Sequence, residues 1–381
     1  MVSLNIATLI YLVAGVISTA IILVSVVSSR RKAVERLGKP IEKPVKVSTQ
    51  VPVAEGVAKA RPQPSIGLDA IASLREVCLE GLVPGYGCSS SKYFKPSFPS
   101  GIVPTGFEGK WSCCLLGCGG QSCAYLCTHR DEKVVFKVPR GFEAIIEGGG
   151  EVPTVHSELL KRIRHEAETM ASLNHPNIVR LLGYSENAPI VIYEFADYGS
   201  IYWQLSNGWK PSLKDVLLIG IQLGDALRYI HSRGLIHGDI KPSNVFIKNG
   251  IIKLGDFSSI VKLLSSASFS KMAYTVGFRA PEQVYSDIKK RARELGVENR
   301  IDIYQLANII LHILAGESID GEEAIDEKHV QEKLNKIQNK ELRSILAEAL
   351  KIDPEKRPSA EEFTKTLYTI YRKIIESQGS A

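Results

Sequence analysis

The octet HGDIKPSN, His237 to Asn244, packs an acid, a cation and an amide into the six positions from Asp239 to Asn244. It follows the apolar helical stretch LLIGIQLGDALRYIHSRG and runs into the apolar VFI. Twelve residues past Asn244, Asp256 follows the strand-like run IIKLG. Two oxygen ligands at strand ends, Asn244 and Asp256, with the carboxylate of Asp239 and the ammonium of Lys241 between them, suit a Mg²⁺-bound phosphate and a hydroxyl nucleophile. Turn chemistry between two strands explains any one of these residues, but not their order along the chain.

A second cluster, KWSCCLLGCGGQSCAYLC at 110 to 127, gathers five of the seven cysteines around a pair of glycines. Its spacing fits a metal site, a disulfide framework or a phosphate-gripping loop, and leaves all three open.

Elements must hold both clusters in place. From about 107 to 137 the chain alternates as strands joined by Gly-containing turns, HSELLKRIRHEAETMASL (156 to 173) has helical spacing, and IVIYEF (190 to 195) reads as a strand. The last 170 residues are mostly helical in pattern, so a small β-rich lobe precedes a larger helical one, an α+β arrangement. Gly148, Gly149 and Gly150 mark an insertion before the first helix. Residues 65 to 83 have helical apolar spacing, and a Gly, Pro, Ser and aromatic-rich stretch continues to 106. Residues 65–106 are expected to form a short extension packed on the domain at 107–375.

In these motifs the chain resembles the eukaryotic-like Ser/Thr protein kinases, over roughly residues 107 to 373. The Gly-rich loop LGCGGQSCA, VVFK with Lys137, a helix bearing Glu166, the hinge-like YEFAD, HGDIKPSN, GDFSS, TVGFRAPE, DIYQLANIIL with Asp302, and IDPEKRPS with Arg357 occur in the family's order. The resemblance implies a bilobal kinase fold with ATP and Mg²⁺ in the cleft and protein substrates. It makes Asp239 the catalytic base, Lys241 the residue that steadies the transferring phosphoryl group, and Asn244 and Asp256 the metal ligands. Lys137 would grip the α- and β-phosphates and pair with Glu166. Gly117, Gly119 and Ser122 would lie over the phosphates. Adenine would meet the hinge backbone at Glu194 and Ala196 beside Tyr193, with Leu116, Ala124 and Val135 above and Phe246 below. Glu282 and Arg357 would form a buried ion pair. Lys241 and Thr275 mark a Ser or Thr acceptor.

Three positions depart from the family. Gly238 replaces the arginine that receives an activation-loop phosphate, which implies weak dependence on phosphorylation of the seven Ser and Thr residues between Ser258 and Thr275. Ser258 replaces a glycine and restricts φ there. Ser122 replaces the third loop glycine. Two other readings stand beside the enzyme: a pseudokinase scaffold, and a kinase-like phosphotransferase acting on a small molecule.

With Leu116 and Ala124 set opposite each other above adenine, residues whose numbers sum to 240 pair across the hairpin, and Cys113 faces Cys127. Alternation then places Cys113, Cys123 and Cys127 on the outer face, Cys114 on the inner face and Cys118 at the tip. That arrangement disfavours one tetrahedral zinc site. It leaves Cys113 and Cys127 either as a disulfide or as two thiols.

The N-terminal end has a different character. Residues 1 to 29 carry no charge, and Leu4 to Val27 are almost unbroken in apolar character. Twenty-four helical residues reach ~36 Å, enough for a ~30 Å hydrocarbon core. Arg30, Arg31 and Lys32 follow, so a single-pass helix at 4–27 with the kinase domain in the cytoplasm is expected. Residues 30 to 61 hold nine Lys or Arg against three Glu, which equals the whole net charge of +6. The remainder is neutral overall and gives nucleic acid no basic surface. The Pro-containing linker at 28–64 reads as a basic tether, with lipid contact through residues 4–46. Ala14, Gly15, Ser18 and Thr19 offer a small-residue face for weak self-association of the span.

Overall fold

The computed structural model describes Ile71, Leu74, residues 77–148, Thr154 and residues 156–263 and 276–379. In the small lobe, alternating residues build an antiparallel sheet. Its strands are β1 (Tyr93–Phe94), β4 (Ser112–Cys118), β5 (Ser122–His129), β6 (Glu132–Pro139), β7 (Leu181–Tyr184) and β8 (Val191–Glu194), in the order β1-β4-β5-β6-β8-β7. Two further short strands, β2 (Ser97–Phe98) and β3 (Gly109–Lys110), pair with each other.

Alternation decides which face does what. Cys123, Tyr125, Cys127, Val134, Phe136, Val138, Ile190 and Ile192 are buried on one face together with Cys113. Phe94, Phe98, Val103 and Trp111 cover that face, the Phe98 and Trp111 rings lying 5.3 and 5.4 Å from Phe136. The face expected to be outermost is therefore a second core, roofed by the edge strand β1 and the chain between β1 and β4. Half-buried Ala124, Leu126, Val135, Lys137 and Tyr193 occupy the alternate positions and face the cleft.

Two helices follow β6: α1 (Ala144–Glu147) and α2 (Ser157–Ala171). In α2 the buried Ile163, Ala167 and Met170 recur at helical spacing and present one face to the protein.

The large lobe is built on α3 (Ile201–Ser206), α4 (Leu213–His231), α5 (Pro281–Val284), α6 (Ser286–Glu294), α7 (Arg300–Ala315), α8 (Glu327–Leu334), α9 (Lys340–Ala349) and α10 (Ala360–Gly379). A capping box starts α4: the Ser212 hydroxyl accepts from the Asp215 N–H, and the Asp215 carboxylate accepts from the Ser212 N–H. Helices α4 and α7 are buried on nearly all sides and form the axis of the aliphatic core. Two two-stranded pieces complete the cleft side: β9 (Leu235–Ile236) with β12 (Val261–Lys262), and the hairpin β10 (Val245–Lys248) with β11 (Ile251–Leu254).

The extension ties the two lobes behind the cleft. Leu79 N–H donates to Gly250 O at 2.9 Å, Gln222 Nε2 to Val77 O at 3.0 Å, and Trp209 Nε1 to Glu80 O at 3.0 Å. Val83 and the Gln204 amide exchange bonds of 2.8 and 2.9 Å. Tyr86 then stacks on Phe195 at 5.9 Å and meets Trp203 edge-on at 5.3 Å, against Gly199, whose φ of 69° suits glycine. The chain next reaches the small lobe, where Ser89 N–H donates to Leu115 O at 2.7 Å. From residue 77 onward this segment is irregular rather than the helix expected over 65 to 83.

The membrane placement expected from the sequence is corrected. No helix among the described residues is long and apolar enough to cross a membrane. The apolar sides of the long helix α4 are consumed by packing inside the large lobe. The run at 4–27, the linker at 28–64 and the lipid and self-association contacts assigned to them lie outside the described residues.

Candidate active site

The cleft residues are set by loops hung on buried helices. Asp302 on α7, fully buried, accepts from His237 N–H at 3.0 Å and from Gly238 N–H at 2.7 Å. Its Oδ2 also lies 2.7 Å from His231 Nε2. One turn along α7, Gln305 accepts from Ile240 N–H at 2.8 Å and donates to Gly238 O at 3.1 Å, while Gln283 Nε2 donates to the same carbonyl at 2.8 Å. Gly238 has φ of 77°, so the position calls for the left-handed backbone that glycine adopts at least cost. His237 Nδ1 accepts from Asp239 N–H at 3.3 Å, and Nε2 donates to Gly255 O at 3.1 Å.

These anchors deliver Asp239, only 7% exposed, to the cleft side. Its Oδ2 accepts from Lys241 Nζ at 2.7 Å and Asn244 Nδ2 at 3.2 Å, and Asn244 Nδ2 also reaches Asp239 O at 2.9 Å. Because Asn244 spends its N–H on Asp239, its carbonyl oxygen is the atom available as a ligand. Asp256 sits at φ 56°, ψ 70°, a left-handed conformation that Asp tolerates, just before a 3₁₀ turn at Phe257–Ser259.

From the small lobe, Lys137 on β6 places Nζ 2.8 Å from Asp256 Oδ1 and 3.6 Å from Glu166 Oε1 on α2. Tyr193 OH donates to the same Glu166 oxygen at 3.1 Å. Burial alone would lower the Lys137 ammonium, but the Asp256 and Glu166 carboxylates outweigh it and raise it above the lysine range. Burial alone would raise the Asp256 carboxyl. The charge and hydrogen bond of Lys137, with a hydrogen bond from Ser258, hold it well below the carboxylate range instead. Burial and then the Glu166 charge push the Tyr193 hydroxyl well up, so it stays a donor.

The remaining expected residues distribute around this centre. Ala124 pairs with Lys137 across β5 and β6, and Val135 pairs with Tyr193 across β6 and β8. Phe246 lies on β10, its ring close to Gly255. The Glu194 side chain is turned into the protein, with Lys248 at 2.8 Å, Lys253 at 3.1 Å and Arg180 N–H at 2.8 Å. Burial opposes its ionisation, but those partners lower it overall. The Ala196 carbonyl, two residues past the end of β8, accepts from Gly199 N–H at 3.1 Å. In the Gly-rich loop, Gly119 N–H closes on Ser122 O at 2.8 Å, and Arg140 Nε reaches Gly119 O at 3.0 Å.

Sequence reasoning misplaced the register here. Gly117, not Leu116, pairs with Ala124, because a bulge between Leu115 and Gly117 gives β4 one extra residue. Below the bulge the rule of 240 holds, and Cys113 faces Cys127. Above it the partners sum to 241, so Cys118 faces Cys123. Both pairs are disulfides, as is Cys88 with Cys114. Ser258 takes no left-handed φ, in keeping with the restriction a serine imposes there: among the described non-glycine residues, left-handed φ occurs at Arg130, Asn249 and Asp256. Thr275 and the rest of 264–275 lie outside the described residues.

Three holding residues were missed. Gln305 and Gln283 hold the Gly238 carbonyl, and Asp320 accepts from Gly277 N–H at 2.6 Å and from Arg279 Nε and Nη2 at 3.1 and 2.7 Å. Gln305 had a signal, since it follows Asp302 by three on one helix.

Residues 113–369 match the family model of the protein kinase domain. The chain belongs to the protein kinase family. Among similar proteins are an Aurora kinase of Schizosaccharomyces pombe, 30% identical over 55% of this chain and 59% of its own length. A probable serine/threonine-protein kinase PknB of Lactococcus lactis is 34% identical over 47% of this chain and 29% of its own. The serine/threonine-protein kinase PrkC of Bacillus subtilis is 28% identical over 57% and 32%. The chain thus spans less than two thirds of each of these relatives. At the level of the family, the β-rich small lobe, the helical large lobe and the enzyme class read from the sequence are borne out. The buried ion pair implied by the resemblance is also present: Arg357 donates to Glu282 through two bonds of 2.7 and 2.8 Å, both side chains fully buried.

Proposed function

We propose that the protein is a Ser/Thr protein kinase that transfers the γ-phosphoryl group of ATP to a protein hydroxyl. The observation that carries this reading is Lys137: its ammonium stands between Glu166 and Asp256, joining small lobe to large, while in the large lobe Asp239 holds Lys241 and Asn244. Asp239 accepts the proton of the incoming hydroxyl, and Lys241, already in contact with it, balances charge on the transferring group.

The donor set fits Mg²⁺. Asn244 and Asp256 offer hard oxygens, Asp256 is held ionised, and two protein ligands leave room for phosphate oxygens and water, the way Mg²⁺ is usually held. When bound, the metal neutralises charge on the β- and γ-phosphates. Lys137 binds and orients the α- and β-phosphates, Gly117 and Gly119 lie over them, and Ser122 takes the third loop position. Leu116, Ala124, Val135 and Phe246 enclose the adenine, whose polar edge meets the backbone of Glu194 and Ala196. A Ser or Thr acceptor follows from Lys241 and Thr275.

The test is transfer of label from radioactive ATP by the full chain. With generic protein acceptors, wild type incorporates label, and Asp239→Asn loses roughly 10²- to 10⁴-fold in kcat with its folding transition retained. Label in neither protein would favour the scaffold. Label on small-molecule acceptors alone would replace the protein-kinase reading with the phosphotransferase.

A further inference from the structure

The three disulfides share one region but differ in access. Cys113 and Cys127 are fully buried, Cys114 is buried and Cys88 half-buried, whereas Cys118 is exposed and its partner Cys123 is not. Cys118 also stands at a decisive place. It lies between Gly117, which pairs with Ala124, and Gly119, whose N–H closes the turn on Ser122 O. The Cys118–Cys123 bond therefore crosses the hairpin at the base of the turn that lies over the nucleotide phosphates in the kinase reading.

We propose that Cys118–Cys123 is a thiol-exchangeable staple that sets the affinity of the Gly-rich loop for nucleotide. The inference rests on that kinase reading. A stapled turn has lost its freedom before any ligand arrives, whereas an open one must be ordered on binding. Opening leaves the Gly119 to Ser122 bond and the two Arg140 contacts, Nε to Gly119 O and N–H to Gln121 O at 2.9 Å, as the remaining ties.

The chemistry is exchange with a dithiol. One thiolate of the dithiol attacks Sγ of Cys118, the exposed partner, and the Cys118–Cys123 bond breaks. Cys123 leaves with the electron pair and takes up a proton, with Glu143 Oε1 3.4 Å away as an acceptor for the new thiol. The second thiol of the reductant then displaces Cys118 and closes its own disulfide. Two electrons and two protons have passed from dithiol to protein, and air or a disulfide of higher potential reverses the step. Burial of the Cys113–Cys127 pair shields it from the same attack.

The experiment uses the full chain purified without reductant, titrated with dithiothreitol, with alkylation and peptide mass mapping at each step. Mg·ADP affinity is measured in parallel by calorimetry. The expected result is that Cys118 and Cys123 become alkylated before Cys113 and Cys127, and that Kd for Mg·ADP rises about three- to tenfold at that point. A Cys118→Ser/Cys123→Ser variant shows the weaker Kd from the start and no response to reductant. A Cys88→Ser/Cys114→Ser variant keeps the response. Opening of the pair with unchanged Kd, alkylation of both thiols before any reductant, or a serine variant with wild-type affinity overturns the staple. In each of those cases Mg·ADP still binds. Absence of Mg·ADP binding in every state would instead overturn the kinase reading, and the staple with it.

Discussion

The small and large lobes solve the same problem with different means. The sheet of the small lobe must keep one face open to the cleft, so only the other face can carry a core. Its six strands are four to eight residues long apart from the two-residue β1. It recruits Phe94 of its edge strand β1, with Phe98 and Trp111 of the neighbouring chain, as a roof and three disulfides as cross-links. The large lobe wraps helices around α4 and α7 and buries them on nearly all sides, so aliphatic packing suffices, with Asp302 and the Glu282–Arg357 pair fixing loops to that core. A region that must present a working face borrows stability from covalent bonds and neighbouring chain, while a region that can hide every face relies on burial.

The comparison breaks most visibly at the ion pair. Arg357→Met leaves the Glu282 carboxylate buried without its partner and removes a guanidinium that also holds Lys351 O and Ile352 O. A loss of about 3–5 kcal/mol in urea unfolding is expected. A change under about 1 kcal/mol would mean that polar anchors matter little to the large lobe.

Next comes the small lobe's own fastening. The chain between Cys113 and Cys127, 14 positions apart, is short enough that its disulfide is worth about 3 kcal/mol through the unfolded state. Cys113→Ala/Cys127→Ala should lower the unfolding free energy by that order under non-reducing conditions. Equal stability of variant and wild type would assign the small lobe's cohesion to its aromatic roof instead.

This contrast also explains what could be read from the sequence. The kinase motifs are local, and their spacing carries the positions of Lys137 and Asp256, which the structure pairs at 2.8 Å, and of Asp239 and Asn244, which it pairs at 3.2 Å. The Cys113–Cys127 pairing was legible because strand alternation is strict below Leu115. Cys118–Cys123 was not, because one bulged residue reverses every later assignment on the strand. The roof was illegible for another reason. Its strands are two residues long, too short for alternation to show, and their partners lie far along the chain. Gly238 was read as a missing arginine, while its left-handed backbone and three hydrogen-bonding neighbours are properties of the fold.

The smallest effect is expected where the lobes meet, at Lys137 and Asp256. Asp256 titrates below its unfolded value of ~3.9, so its contribution is present above that pH and fades as the pH falls through the folded value. Lys137 titrates above its unfolded value of ~10.4, so its contribution is complete below that pH and fades only as the pH rises through the folded value. Between these limits the pair adds a pH-independent increment. Asp256→Asn removes the acid limb: unfolding free energy measured from pH 5 down to pH 2 should fall less steeply in the variant than in wild type. Glu166 still faces Lys137 at 3.6 Å in that variant, so the alkaline limb is reduced rather than lost. Parallel acid limbs in the two proteins would mean that this contact orients the cleft without stabilising the junction of the lobes.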